Sequence, residues 1–196
     1  MAGHSWDERF AGDDYAYGTE PNTYLRAQAW RLRPGMNALS VADGEGRNGV
    51  WLAGQGLDVL SVDSSAVGLA KAQRLAVDRG VRLTTVQADL LEWQWGRDAF
   101  DLIASIYMHF APEVRPRMHR AMIDALRPGG LVLIEAFHKR QPGRGAGSPV
   151  YQPDALQNDF ADLQILELLV GTVTLDEGTF HRGPAEVVRF LGRRPD

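Results

Sequence analysis

The run Ala38-Leu39-Ser40-Val41-Ala42 enters a small-residue turn at Asp43-Gly44-Glu45-Gly46 and leaves it into Arg47-Asn48-Gly49-Val50-Trp51-Leu52-Ala53, which reads as a helix. Bare backbone at Gly44 and Gly46 thus meets a helix N-terminus, where unpaired amides converge and a nucleotide-like ligand can be received. A second apolar run, residues 57–62, ends on Asp63, 17 residues after Gly46. A carboxylate in that place can grip a ribose diol, as in doubly wound nucleotide sites. Taken alone, the two glycines fit a tight strand-to-helix turn equally well.

The remainder of the chain supplies context. Residues 81–88 form a third apolar run ending at Asp89, residues 100–106 a fourth, and Leu126-Arg127-Pro128-Gly129-Gly130 is a turn feeding a fifth at 131–137. Five strand-like runs alternating with helical segments give the βαβ pattern of a parallel sheet. Asn22 caps a helix carrying Tyr24, Leu25, Ala29 and Leu32, stopped by Arg33-Pro34-Gly35. Ser64 or Ser65 caps a helix over 66–77 that stops at Gly80. Ala111-Pro112-Glu113 opens a helix toward Leu126 with Met118, Met122 and Ile123 in the core, and residues 153–160 form a short helix. Glycines 143, 145 and 147 mark 141–149 as a mobile loop. Runs at 164–170 and 186–191, joined around Glu177-Gly178, read as a hairpin added to the sheet. Residues 6–18 hold Trp6, Phe10, Tyr15 and Tyr17 without helix or strand periodicity. Residues 1–20 are therefore expected to be an arm or lid over one domain at 21–196, with a packed N-terminal helix as the alternative.

A chain of 196 residues suits one domain with a sizeable core. No apolar stretch approaches a membrane span, and the N-terminus carries no apolar signal core. The net charge of −4 argues against a general nucleic-acid binder, which needs a basic face. Without cysteine there is no disulfide framework, thiolate metal site or cysteine nucleophile, and no two histidines stand four apart, so no metal is expected. The default expectation is a cytoplasmic monomer or homodimer acting on a small molecule, without nucleic-acid or membrane partners.

Gly44-Glu45-Gly46-Arg47-Asn48, Val62-Asp63, Ala88-Asp89-Leu90, Phe100-Asp101-Leu102-Ile103 and Leu126-Arg127-Pro128-Gly129-Gly130, in that order, resemble the class I S-adenosylmethionine-dependent methyltransferases. Trp6-Asp7-Glu8-Arg9-Phe10, Tyr17-Gly18-Thr19-Glu20-Pro21-Asn22 and Glu177-Gly178-Thr179-Phe180-His181-Arg182-Gly183 are similar to a narrower group. These are the small bacterial enzymes of tellurite-resistance and thiopurine methyltransferase type. The resemblance implies an α/β, doubly wound, seven-stranded and mostly parallel sheet with a C-terminal antiparallel hairpin. It implies S-adenosyl-L-methionine as cofactor, held by Ala42, Asp43, Gly44, Glu45, Gly46, Asn48, Asp63, Ser64, Ala88, Asp89, Leu90 and Ile106. Asp89 would accept from the adenine amine, and Ile106 and Tyr107 would line the cleft. The chain departs from the family at Ser40, where an acidic residue is usual, and at Ala42, where glycine is usual. Gly49 formally completes Gly-x-Gly-x-x-Gly, so a nicotinamide-dependent reductase shares the turn; a cofactor-binding protein without turnover is the non-enzyme alternative.

Methyl transfer from a sulfonium is an in-line displacement, so positioning and water exclusion are the main demands and a base is optional. A small, soft acceptor, a thiol or a selenium or tellurium nucleophile, fits a chain with no separate substrate domain. For a harder acceptor, His109, His181 and Tyr17 are the candidate catalytic groups, with packing roles as the alternative for both histidines. His4, His119 and His138 are weaker candidates. Ser105 lacks a nucleophile elbow and Ser148 lies in the loop, which argues against hydrolysis.

Overall fold

The computed structural model describes residues 3–142 and 150–196, with side chains from residue 6 onward. The expectations for Gly143, Gly145, Gly147 and Ser148, and for the side chain of His4, lie outside the described residues. Two compact units are present: residues 1–93 with 176–182, and residues 94–175 with 183–196.

In the first unit, β1 (Asn37–Val41), β2 (Asp58–Asp63) and β3 (Thr84–Gln87) run parallel, with Ser40 opposite Ser61 and Val62 opposite Val86. Leu39, Val41 and Val62 are buried, as are Leu52 of α3 (Arg47–Gly54) and Ala72 of α4 (Ala66–Asp78). Strands buried in this way read as near-continuous apolar runs, which is why they were visible in the sequence. Ser65 is the cap of α4, its hydroxyl accepting from Gly68 N at 2.9 Å. Asn22 caps α2 (Thr23–Ala27) by accepting from Tyr24 N and Leu25 N. That helix is shorter than the apolar pattern suggested and passes into a single 3-10 turn at Ala29–Arg31. The third strand is also short, half of the 81–88 run.

The N-terminal segment is more regular than its sequence pattern indicated. Gly3–Phe10 is a helix, α1, and Phe10 is buried against the glycine turn. One apolar anchor, Phe10, and a set of polar tethers replace the repeating stripe that periodicity detects.

In the second unit β4 (Phe100–Ile106) and β5 (Leu126–Phe137) are parallel, while β7 (Arg182–Arg193) is antiparallel to β5, with Glu135 opposite Arg189. The register jumps from Phe100–Leu126 to Leu102–Leu131, which places the Arg127-Pro128-Gly129-Gly130 turn inside β5. α5 (Arg115–Ala125), α6 (Pro153–Asp159) and β6 (Gln164–Asp176) complete the order. Met118, Met122 and Ile123 are core residues as read from the sequence. The seven strands form one sheet in the order β3-β2-β1-β4-β5-β7-β6. It is parallel but for the C-terminal hairpin strands, the architecture the resemblance implies. No described helix is long and apolar enough to cross a membrane.

Candidate functional site

The turn between β1 and α3 is built on left-handed backbone, with φ of +56° at Gly44 and +87° at Gly46. A Cβ at Gly46 would lie 2.4 Å from Ala72 Cβ, and one at Gly49 would lie 2.3 Å from Asp43 Oδ2. Both positions therefore exclude side chains. Ala42, where the family has glycine, is itself left-handed at φ +51°, so the departure adds backbone strain as well as a Cβ.

Asp43 lies beneath the turn. Its carboxylate accepts from Ser40 Oγ at 2.7 Å, Ser61 Oγ at 2.5 Å and Gly49 N at 3.2 Å. Burial pushes its pKa up, against those hydroxyls and that amide. Ser40, which cannot carry the usual family charge, thus acts by holding Asp43. Asp63 at the end of β2 accepts from Gly44 N and from Ser65 N, both at 2.8 Å, and burial raises its pKa too. A backbone hydrogen bond from Ser64 adds to these two. Asp63 thus ties the turn to the start of α4.

Glu45 extends to α4. Its Oε1 pairs with Lys71 Nζ at 2.5 Å and its Oε2 accepts from Ala16 N at 2.7 Å. Lys71 is a fully buried cation whose ammonium also donates to Gly12 O at 2.9 Å and Asp14 O at 2.6 Å. This clasp on the N-terminal segment was not singled out in the sequence; the signal was a lone lysine within the apolar run Ala66-Val67-Gly68-Leu69-Ala70-Lys71-Ala72. At the other end of the segment, Asp7 accepts from Ser65 Oγ at 2.5 Å and Val67 N at 3.3 Å, and so caps α4.

A second buried ion pair surrounds Glu177. It receives Arg47 Nη2 at 2.9 Å and Asn22 Nδ2 at 3.0 Å, with His181 Nδ1 3.5 Å away. Burial alone would raise this carboxyl, but the His181 contact and the Arg47 charge outweigh it and bring it down to about 2. Asn48 Oδ1 accepts from Asn22 N at 2.9 Å, so Asn48 orients the cap of α2. The Tyr17 ring stands 4.6 Å from that of His181. Two of the three catalytic candidates, Tyr17 and His181, are thus brought together; Arg47 and Glu177, which complete the group, belong to motifs of the resemblance but were not among the candidate site residues.

The third candidate, His109, belongs to the second unit. Phe137 N donates to its Nε2 at 2.8 Å, which engages the lone pair a base would use, and its ring stacks on Phe137. Beside it Tyr107, at φ +55°, donates its hydroxyl to Glu135 at 2.8 Å. Ile106 is buried at the end of β4. His119 is buried, facing Asp159 at 2.8 Å and Tyr151 at 3.3 Å, and burial lowers its pKa. His138 is buried too, and its Nδ1 accepts from Arg140 N at 3.4 Å and from Arg140 Nε at 3.3 Å. Asp89 is exposed and accepts from Leu91 N at 2.9 Å, closing a turn. Leu90 is buried, Ala88 N donates to Asp63 O at 2.9 Å, and Ser64 O accepts from Gln87. Among the described residues no group of three or more His, Asp or Glu is arranged to hold a metal.

Residues 38–130, from the first buried strand through the glycine turn to the β5 turn, match the methyltransferase domain family. The chain carries a methyltransferase domain. It is 32% identical over 138 residues to a glycine/sarcosine N-methyltransferase of Halorhodospira halochloris, an alignment covering 66% of this chain and 49% of that protein. The chain thus spans about half the length of this curated relative. A structure studied for the conversion of a disulfide bond into a thioacetal group during echinomycin biosynthesis superimposes with a TM-score of 0.82 at 18% identity, over 100% of this chain and 93% of the other. TehB from Haemophilus influenzae superimposes at 0.76 with 19% identity, over 98% of this chain and 66% of TehB. These two likenesses establish the fold of the methyltransferase domain.

Proposed function

We propose that this chain transfers the methyl group of S-adenosylmethionine to a small, soft acceptor. The observation that carries the reading is the left-handed turn at Gly44 and Gly46 locked to Asp63, a carboxylate at the end of β2 where a ribose diol is gripped in doubly wound nucleotide sites. The cofactor supplies a methyl group activated on a sulfonium. The buried carboxylates of Asp43 and Asp63 give the turn the negative charge that a cationic ligand requires. Ala88, Asp89 and Leu90 would border the adenine, by the family's pattern. The acceptor class draws support from the neighbour studied for thioacetal formation, a sulfur chemistry. A soft nucleophile needs no base, in keeping with His109, whose Nε2 is engaged by Phe137 N. The cysteine-free chain fits a cytoplasmic site of action.

In this reading α1 and the segment to residue 20 form the lid. Phe10 closes against the turn, where a Cβ at Gly44 would lie 3.0 Å from its ring, while Asp7 and Lys71 hold the two ends. Closure keeps water from the transfer.

Calorimetry with S-adenosylhomocysteine tests the cofactor. Asp63→Ala should weaken binding about ten- to a hundredfold, the loss of charge-assisted hydrogen bonds. An unchanged Kd, or preferential binding of NAD, refutes the assignment. A mass-spectrometric screen of thiols, tellurite and small amines with labelled donor then tests the acceptor, and turnover of amines alone refutes a soft one.

A further inference from the structure

Resting on the methyltransferase reading, we propose that the acceptor carries a carboxylate and that Arg47 receives it. Arg47 is more than nine-tenths buried, yet only part of its guanidinium is matched: Nη2 pairs with Glu177 at 2.9 Å, while Nη1 is buried without a hydrogen-bond partner. A buried charged donor left unpaired is costly and calls for a specific explanation. Its neighbour Glu177 is contacted by Asn22, Arg47 and His181. The unmet Nη1 is relieved by one further oxyanion.

The location suits an acceptor. Arg47 directly follows Gly46, so its head group is tethered one side chain away from the cofactor turn. Asp43 is the other acidic group that feels Arg47, and its carboxylate is already engaged by Ser40, Ser61 and Gly49 N. Nη1 is closed to solvent, so the acceptor reaches it as the N-terminal segment, with Tyr17 against His181, opens and recloses. The ligand class is a small thiol or other nucleophile bearing a carboxylate, whose oxygen accepts a charge-assisted hydrogen bond from Nη1.

The test is a binding titration of the protein loaded with S-adenosylhomocysteine, using mercaptoacetate and its neutral counterpart 2-mercaptoethanol. Mercaptoacetate is expected to bind at least tenfold more tightly. Arg47→Lys keeps a charge for Glu177 but lacks the fork, and should erase that preference while leaving 2-mercaptoethanol within twofold. If Arg47→Lys does not fold, the double variant Arg47→Gln with Glu177→Gln removes both buried charges, and the same loss of preference is expected. No preference in the parent protein, or equal losses for both thiols in the variant, overturns the inference and leaves the cofactor assignment standing. Failure of S-adenosylhomocysteine to bind at all overturns the assignment itself, and this inference with it.

Discussion

Gly46 shows how one missing side chain sets the geometry of the turn. Its φ of +87° and the 2.4 Å separation between a would-be Cβ and Ala72 Cβ are independent constraints. Gly46→Ala should cost roughly 3 kcal/mol or more in urea unfolding, combining steric overlap with strained backbone. Adding Ala72→Gly should recover only part of that, because φ is unchanged; full recovery would mean that the backbone is not strained. Glu177 sets a pH dependence. Its carboxyl stands at about 2 in the folded chain against 4.5 ordinarily, so it binds its proton less readily folded than unfolded. The stability it contributes is fully present above about pH 4.5 and is lost as pH falls toward 2, on the order of 3 kcal/mol. Unfolding measured from pH 7 to pH 2.5 should show this acid loss in the parent and a flatter curve in Glu177→Gln. Parallel curves would contradict it.

At the scale of elements, α1 separates two kinds of attachment. Phe10 is a packing anchor, and replacing it with alanine would empty a buried site. Asp7, by contrast, holds the helix to the start of α4 through Ser65 and Val67 N. Asp7→Ala should therefore cost about 1 kcal/mol, the usual worth of a helix cap, while lowering methyl transfer much further by loosening the lid. Thermal unfolding beside a transfer assay checks this, and a loss of stability without loss of transfer would make α1 structural only. The hairpin tip has a comparable constraint. A Cβ at Gly178 would lie 2.3 Å from Gly18 N, so the turn after β6 and the N-terminal segment meet backbone to backbone. Short polar turns of this kind carry no periodicity, so their partners are not readable from the chain.

For the molecule as a whole, the proposed cofactor and stability are linked. A ligand that binds only the folded state at a hundredfold excess over Kd adds about 2.7 kcal/mol. In a chain of this length that corresponds to a rise in Tm of about 5–10 °C. S-adenosylhomocysteine should produce that shift in a thermal melt and NAD should not; the reverse would favour the reductase that shares the glycine turn.

The parallel strands and their order of appearance were legible because buried strands must be apolar throughout, and the glycine turn because only glycine accepts its backbone. Asn22 and Ser65 were legible as caps because a polar side chain before an apolar run has one local task. What the chain could not disclose was pairing at a distance. Lys71 with Glu45, Arg47 with Glu177, and Asp7 with Ser65 join residues 26 to 130 positions apart. No local pattern encodes such a partner, since a buried charge is tolerable only where the fold delivers its counterion. For the same reason Asp43 and His109 read in the sequence as ligand or base candidates. Only the tertiary structure shows what their polar atoms meet, Ser40, Ser61 and Gly49 N at the carboxylate and Phe137 N at the imidazole nitrogen, because a buried polar group must find a partner wherever the fold supplies one.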